Sequence, residues 1–169
     1  MNFVTMENKQ FNTNTTSRSS KATQSSNKTK MAISALLESY RIGFLHLDQK
    51  QLAAIWNSHH VPMIYVAQEK EEPIQGWTSI QQYFAALPEH LDEVLAKQLE
   101  NVQIDILGNT AVAFFISRSR VKLKGRATIY EPTARVTMIF RRTEAGWRAI
   151  HYHESALSAQ SAQVKSTAE

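Results

Sequence analysis

Apolar residues acquire a regular period at Ile33. From there Ile33, Leu36, Leu37, Tyr40, Phe44, Leu45 and Leu47 recur at three- and four-residue intervals, which predicts one apolar face on an α-helix. Asp48 followed by Gln51 has the form of a capping box, so a second helix starts there and carries Leu52, Ile55 and Trp56 inward. His60 to Gln68 reads as a strand, with Pro62 at its start or on an edge because proline cannot donate to a ladder. The charged run Glu69 to Glu72, with Pro73, is a turn. After Gly76, Thr78 and Gln81 suggest a second capping box, and Ile80, Tyr83, Phe84 and Leu87 form a helix face that ends at Pro88.

The second half of the chain changes period. Leu99 to Leu107 alternates, with Val102, Ile104 and Ile106 on one face, and Gly108-Asn109 is a turn. Ala111 to Leu123 is a long strand with a polar far end. Ile129 to Arg142 places Val136, Met138 and Phe140 together, and Glu144-Ala-Gly146 turns the chain into a last strand, Trp147 to Ser155. Helices followed by strands with short turns predict an α+β domain whose sheet is antiparallel, since parallel pairs need long crossovers.

Composition divides this picture at residue 31. Residues 1–30 are rich in Ser, Thr, Asn, Gln and Lys without apolar spacing, and are expected to be a disordered basic tail. Residues 31–157 form the domain, and the small polar residues 158–169 are expected to be a flexible end. The formal net charge of +4 lies in the tail, which holds five basic residues and one acid, whereas residues 31–169 hold fourteen of each. A neutral domain gives no footprint for nucleic acid. The chain has no cysteine, which removes disulfides, thiolate metal sites and cysteine nucleophiles. It contains no apolar run of membrane-spanning length and no amino-terminal apolar segment typical of export. A cytoplasmic protein with no membrane contact is the expectation.

The segments Gly76-Trp-Thr-Ser-Ile-Gln-Gln-Tyr-Phe84, Arg135-Val-Thr-Met-Ile-Phe-Arg-Arg142 and Gly146-Trp-Arg-Ala-Ile-His-Tyr-His-Glu-Ser155 resemble the SnoaL-like branch of the nuclear transport factor 2-like superfamily. The last segment is also similar to the association domain of calcium/calmodulin-dependent protein kinase II. The resemblance implies a cone of three helices packed on a strongly curved sheet, enclosing a pocket. It also implies homodimers through the outer sheet face, or a higher oligomer. It implies no single activity, because the superfamily includes isomerases, dehydratases, polyketide cyclases, adaptors and oligomerisation hubs.

Candidate chemistry follows from the strand faces. His151 and His153, two apart, share a face with Trp147, Ala149 and Ser155, and sit roughly 6–7 Å from one another. A zinc site needs a third and usually a fourth ligand, so the pair reads as structural and no metal or cofactor is expected. The opposite face, with Arg148, Ile150, Tyr152 and Glu154, is the pocket face implied by the resemblance, together with Arg135, Thr137 and Ile139. Arg135 matches a pocket arginine of the association domain, whereas Glu154 stands where that domain has another arginine. Two arginines suit an anion, but an Arg135–Glu154 pair would neutralise itself.

An isomerase of the carboxylate-base type would need Asp or Glu in Ser58 to Gln68, which has neither. His59 and His60 offer an imidazole base instead, or are exposed loop residues. Trp56, Tyr65, Trp77, Tyr83 and Phe84 either line an apolar pocket or fill the core. The expected ligand-binding set is thus Trp56, Tyr65, Trp77, Arg135, Tyr152 and Glu154, around a small organic molecule. The rival expectation is a non-catalytic oligomerisation or adaptor module. Arg118, Arg120, Lys122, Lys124 and Arg126, largely at alternate positions on a hairpin, read as a solvated rim.

Overall fold

A computed structural model describes residues 14–157, with side chains from residue 23 onward. Three helices, α1 (Asn14–Leu45), α2 (Gln49–Ala54) and α3 (Trp77–His90), pack on one curved sheet. Its strands are β1 (Ile64–Val66), β2 (Ile74–Gln75), β3 (Leu91–Leu107), β4 (Thr110–Leu123), β5 (Ile129–Tyr130), β6 (Thr133–Thr143) and β7 (Gly146–Ala156). The order across the sheet is β2-β1-β7-β6-β4-β3, with β5 on the far part of β4. The α+β class and the three-helix cone architecture are therefore those expected.

The expected tail is helical where it is described. Helix α1 begins at Asn14, so residues 14–30 are its first half, whereas residues 1–13 and 158–169 lie outside the described residues. The physical reason is that the first glycine is Gly43 and no proline precedes it, so nothing interrupts a helix nucleated by its packed part. Most side chains from Thr23 to Met31 are exposed, and burial begins at Ile33. Helix formation there needs no apolar face, which is why the search for a period missed it.

Asp48 caps α2 as expected, its Oδ1 accepting from the Gln51 amide at 3.0 Å. The second capping box does not form. Gly76, at φ 79° and ψ 156°, is the N-cap of α3 without a side-chain bond, and Thr78 already lies inside the helix. Pro88 sits in the last turn of α3 instead of ending it.

The sheet is mixed at one place. β1 runs parallel to β7, pairing Tyr65 with Tyr152. The expectation of no parallel pair overlooked that everything from α3 to β6 acts as the crossover. A register shift between Ile139 and Phe140 also places Ile150 in a bulge. Phe140 pairs with Ala149 and Met138 with Tyr152, so the inward side changes from odd to even numbers along β7. Trp147 and Ala149 thus join Tyr152 in the core, and His151 and His153 face outward without them.

Candidate functional site

A cavity of about 910 Å³ opens between α1, α3 and the inner face of the sheet. Tyr40 and Phe44 of α1 and Tyr83 and Leu87 of α3 form its helical side. Lys97 of β3, Ser117, Ser119 and Val121 of β4, Ala134 of β6 and Glu154 of β7 form its sheet side. Two polar centres, one buried and one half-buried, interrupt this largely apolar wall.

The first centre is Lys97, only 6% exposed, whose Nζ donates to Ser117 Oγ at 2.8 Å. The same Nζ lies 4.3 Å from the Phe44 ring centroid and 5.6 Å from that of Tyr40. Burial lowers the Lys97 pKa to about 8, partly opposed by the carboxylates of Glu154 and Glu69. Bulges place Lys97 here. Register shifts between Val94 and Ala96 and between Glu100 and Gln103 interrupt β3, yet Val94, Lys97, Leu99 and Ile104 stay opposite Val121, Ser119, Ser117 and Ala113. Those partners are all buried. Sequence reading missed Lys97 because the bulges break alternation, so the strand was started only at Leu99. The available signal was Ser117 and Ser119, set at alternate positions beyond Ala113 and Phe115 and so aimed inward.

The second centre is Glu154. Its Oε2 accepts from the Tyr152 hydroxyl at 2.7 Å, and its Oε1 from the Gln68 amide at 3.2 Å. Burial raises the Glu154 pKa, and the Tyr152 bond, Lys97 and the Gln68 amide oppose the rise. The Tyr152 hydroxyl in turn accepts from Tyr40 at 3.0 Å. Tyr65 stacks on Tyr152 with ring centroids 4.4 Å apart and planes within 8°, which follows from their pairing across β1 and β7. Nearer the rim, the Tyr83 hydroxyl donates to Glu69 Oε1 at 2.7 Å. Burial raises the pKa values of Tyr40, Tyr65, Tyr83 and Tyr152, so these phenols act as neutral hydrogen-bonding groups.

The six residues expected at the site separate. Tyr65 and Glu154 line the cavity, and Tyr152 lies behind them as their shared support. Trp56 belongs to the core against Tyr65 and Phe84, and its buried Nε1 has no hydrogen-bond partner among the described residues. Trp77 is half-buried at the start of α3, packed on the core outside the cavity lining. Arg135 is exposed on the outer face beside Ile116 and Ser155, and its Nη2 reaches the Ala156 carbonyl at 3.4 Å. The Arg135–Glu154 pair therefore does not form. Thr137, Ile139 and Arg148 share the outer face with Arg135, because the extra residue at Ile150 shifts the β6–β7 register and reverses the inward side of β7.

His59 and His60 sit in the loop before β1, outside the cavity lining. Burial, then Arg141, lowers the His60 pKa. Burial, then His153, lowers that of His151. Among the described residues no third His, Asp or Glu gathers with either pair. Arg118 and Arg120 are exposed and bonded to Glu100 and Glu131, so this hairpin face is a solvated ion-pair ladder.

The model of the SnoaL-like domain matches residues 33–159. The chain belongs to the SnoaL-like family. No curated protein matches it. This SnoaL-like chain is similar to a nuclear transport factor 2-like superfamily protein from Salmonella enterica serovar Typhimurium, with TM-score 0.72 and 17% identity over 82% of this chain and 98% of that one. A Novosphingobium aromaticivorans protein described as a scytalone dehydratase shares the fold at TM-score 0.69 and 10% identity, over 79% and 87% of the two chains. A Xanthomonas campestris protein described as a kinase II association domain does so at TM-score 0.63 and 15% identity, over 75% and 86%. At these identities the likeness is one of fold, and activity must be argued from the cavity.

Proposed function

We propose that the cavity binds a small organic molecule, its apolar walls taking the hydrocarbon body and its two polar centres taking the functional groups. The observation that carries this reading is the Lys97–Ser117 bond, set in the wall of a cavity of about 910 Å³. Such a volume is ordinary for sites that enclose a small ligand. Burying an amine without an ion-pair partner costs stability, and an apolar residue of similar size would avoid the cost. Use of the amine on a ligand is a reason to keep it.

Glu154 gives the reading a chemical direction. Burial raises the Glu154 carboxyl and lowers the Lys97 amine in the wall of one cavity, and shifts of these signs suit groups that give and take protons. We assign Glu154 as the acid–base residue of a lyase, isomerase or cyclase reaction, with Tyr152 orienting it and Tyr65 as the aromatic wall. Trp56 and Trp77 support the walls from behind. Screening aromatic and alicyclic carbonyl fragments by ligand-observed NMR tests this. Fragments that bind the wild type are expected to weaken at least severalfold on Tyr65→Ala and Glu154→Gln, both checked for folding. Equal binding by all three proteins would overturn the site.

A second reading, assembly through the outer sheet face, rests on a specific observation. Phe114 is 36% exposed there, flanked by half-buried Val112, Ile116, Ile139 and His151. An apolar strip of this kind suits a homodimer. Native mass spectrometry at several concentrations checks it. A dimer dissolved by Phe114→Glu supports a paired pocket protein, and a ring of many subunits supports the adaptor reading. No described helix is long and apolar enough to cross a membrane. With the absence of cysteine, this fits a cytoplasmic setting, which fluorescent tagging would test.

A further inference from the structure

Lys97 does not behave like a structural lysine. Among the described residues no carboxylate lies within ion-pair distance of it, and its side-chain hydrogen bond goes to the neutral hydroxyl of Ser117. The groups around it pull in different directions. The Phe44 and Tyr40 rings favour the ammonium form, as do the carboxylates of Glu154 and Glu69 at longer range. The Arg41 guanidinium, held at the Lys97 carbonyl by a 3.3 Å bond, is a like charge close to its backbone. Burial outweighs the attractive groups, and the amine titrates near pH 8. A lysine in water is almost wholly protonated at that pH, with no lone pair to offer. Lys97 holds a substantial neutral fraction, fixed by Ser117 and opening on the cavity.

We propose that Lys97 is a nucleophilic amine that forms an imine with a small aldehyde or ketone bound in the cavity. This rests on the cavity being a ligand site and names the ligand class. The Nζ lone pair attacks the carbonyl carbon, forming the N–C bond while the carbonyl oxygen takes a proton. The nitrogen releases its own proton, giving a neutral carbinolamine. The hydroxyl then takes a second proton and leaves as water, breaking the C–O bond as the nitrogen lone pair forms C=N, and loss of the remaining N–H proton gives the neutral imine. No oxidant or reductant takes part, and hydrolysis reverses the sequence. Desolvation is the feature that activates such lysines, and the apolar surroundings of Lys97 supply it.

The test is reductive trapping of the full chain with benzaldehyde, and separately butanal, in cyanoborohydride, followed by peptide mapping. The expected result is a single modification at Lys97, formed roughly tenfold ahead of the exposed Lys50, Lys70, Lys122 and Lys124. Its rate should climb through about pH 8. Lys97→Arg, which keeps the charge, and Lys97→Met, which keeps the shape, should each lose that modification alone. Label spread over the surface lysines, alike in wild type and Lys97→Met, would overturn the proposal. The same two carbonyls are followed in parallel by ligand-observed NMR without reductant. Binding without label at Lys97 sinks the imine and leaves the cavity reading standing. Absence of both binding and label sinks the two together for carbonyl ligands.

Discussion

The Tyr152 hydroxyl donates to Glu154 Oε2 across 2.7 Å, from a residue wholly buried in the core to one that faces the cavity. Because the same hydroxyl accepts from Tyr40 at 3.0 Å, one oxygen links helix α1 to the carboxylate. Tyr152→Phe breaks both bonds while keeping the ring that stacks on Tyr65. We expect a loss of about 2–3 kcal/mol, since a buried phenol and a half-buried carboxylate each lose a partner. Glu154 should also titrate higher, because the lost bond was the first influence opposing burial. A carboxyl with a raised folded pKa contributes stability that is full below its unfolded value and is lost as pH rises through the folded one. The variant therefore holds a protonated Glu154 to higher pH. Carboxyl carbon NMR of labelled Glu154 reads this directly, and an unshifted titration would contradict the network.

Lys97 gives a pH dependence of opposite sign from the same cause, burial. Its pKa falls from 10.5 unfolded to about 8 folded, so the folded state resists protonation. Below pH 8 the charged amine costs stability, and the cost is relieved as pH rises from about 8 to 10.5. Lys97→Met removes the cost but leaves Ser117 without its donor. The variant should be more stable than wild type at pH 7 by on the order of 2 kcal/mol. The advantage should vanish by pH 10.5, as followed by urea unfolding at a series of pH values. A constant difference across that range would mean that Lys97 titrates normally.

These two residues show what the sequence could and could not reveal. Tyr152 and Glu154 were legible because the last strand is a recognisable segment and their parity is even, as the bulge happens to leave it. Tyr65 was legible as one of the aromatic residues near the helices, and it faces inward with Met63 and Ala67, all buried. The resemblance puts Arg135 on the pocket face, whereas the extra residue at Ile150 sets it opposite Ser155 and outward. Lys97 escaped for the same reason on β3, where bulges give inward residues the spacing Val94, Lys97, Leu99. Side-chain period reports faces only along an unbroken ladder. Helix α1 before Ile33 was missed for a different reason, since its sequence has no apolar period and Thr23 to Met31 are mostly exposed.

Gly43 marks a close approach between α1 and α2. A Cβ at this position would lie 3.1 Å from both Leu52 Cγ and the Leu52 backbone nitrogen. The backbone there is held by the bond from the Leu52 amide to Asp48 and cannot retreat cheaply. Gly43→Ala gains about 1 kcal/mol of helix propensity, yet overpacking costs about 1–3 kcal/mol. We expect a net loss near 1 kcal/mol and a shift of Leu52, measured by thermal unfolding and by the methyl resonances of Leu52. A stabilised variant would show that the helices separate more easily than their packing implies.

Arg135 and Glu154 finally offer a paired test of which sheet face matters. Arg135 is exposed on the outer face and reaches only a backbone carbonyl, at a long 3.4 Å. Truncating it should change stability by no more than about 0.5 kcal/mol, as for other exposed side chains. Arg135→Ala should therefore leave the affinity for any cavity ligand unchanged. Glu154→Gln keeps the shape and both hydrogen bonds in altered form, but removes the charge and the ability to take a proton. Turnover of an identified substrate should fall by roughly two to four orders of magnitude, the usual contribution of a general acid–base group. Affinity should change far less than kcat, because the lost interaction acts on a proton in flight. If Arg135→Ala weakened binding while Glu154→Gln did not affect turnover, the reacting face would be the outer one, and the cavity assignment would fail.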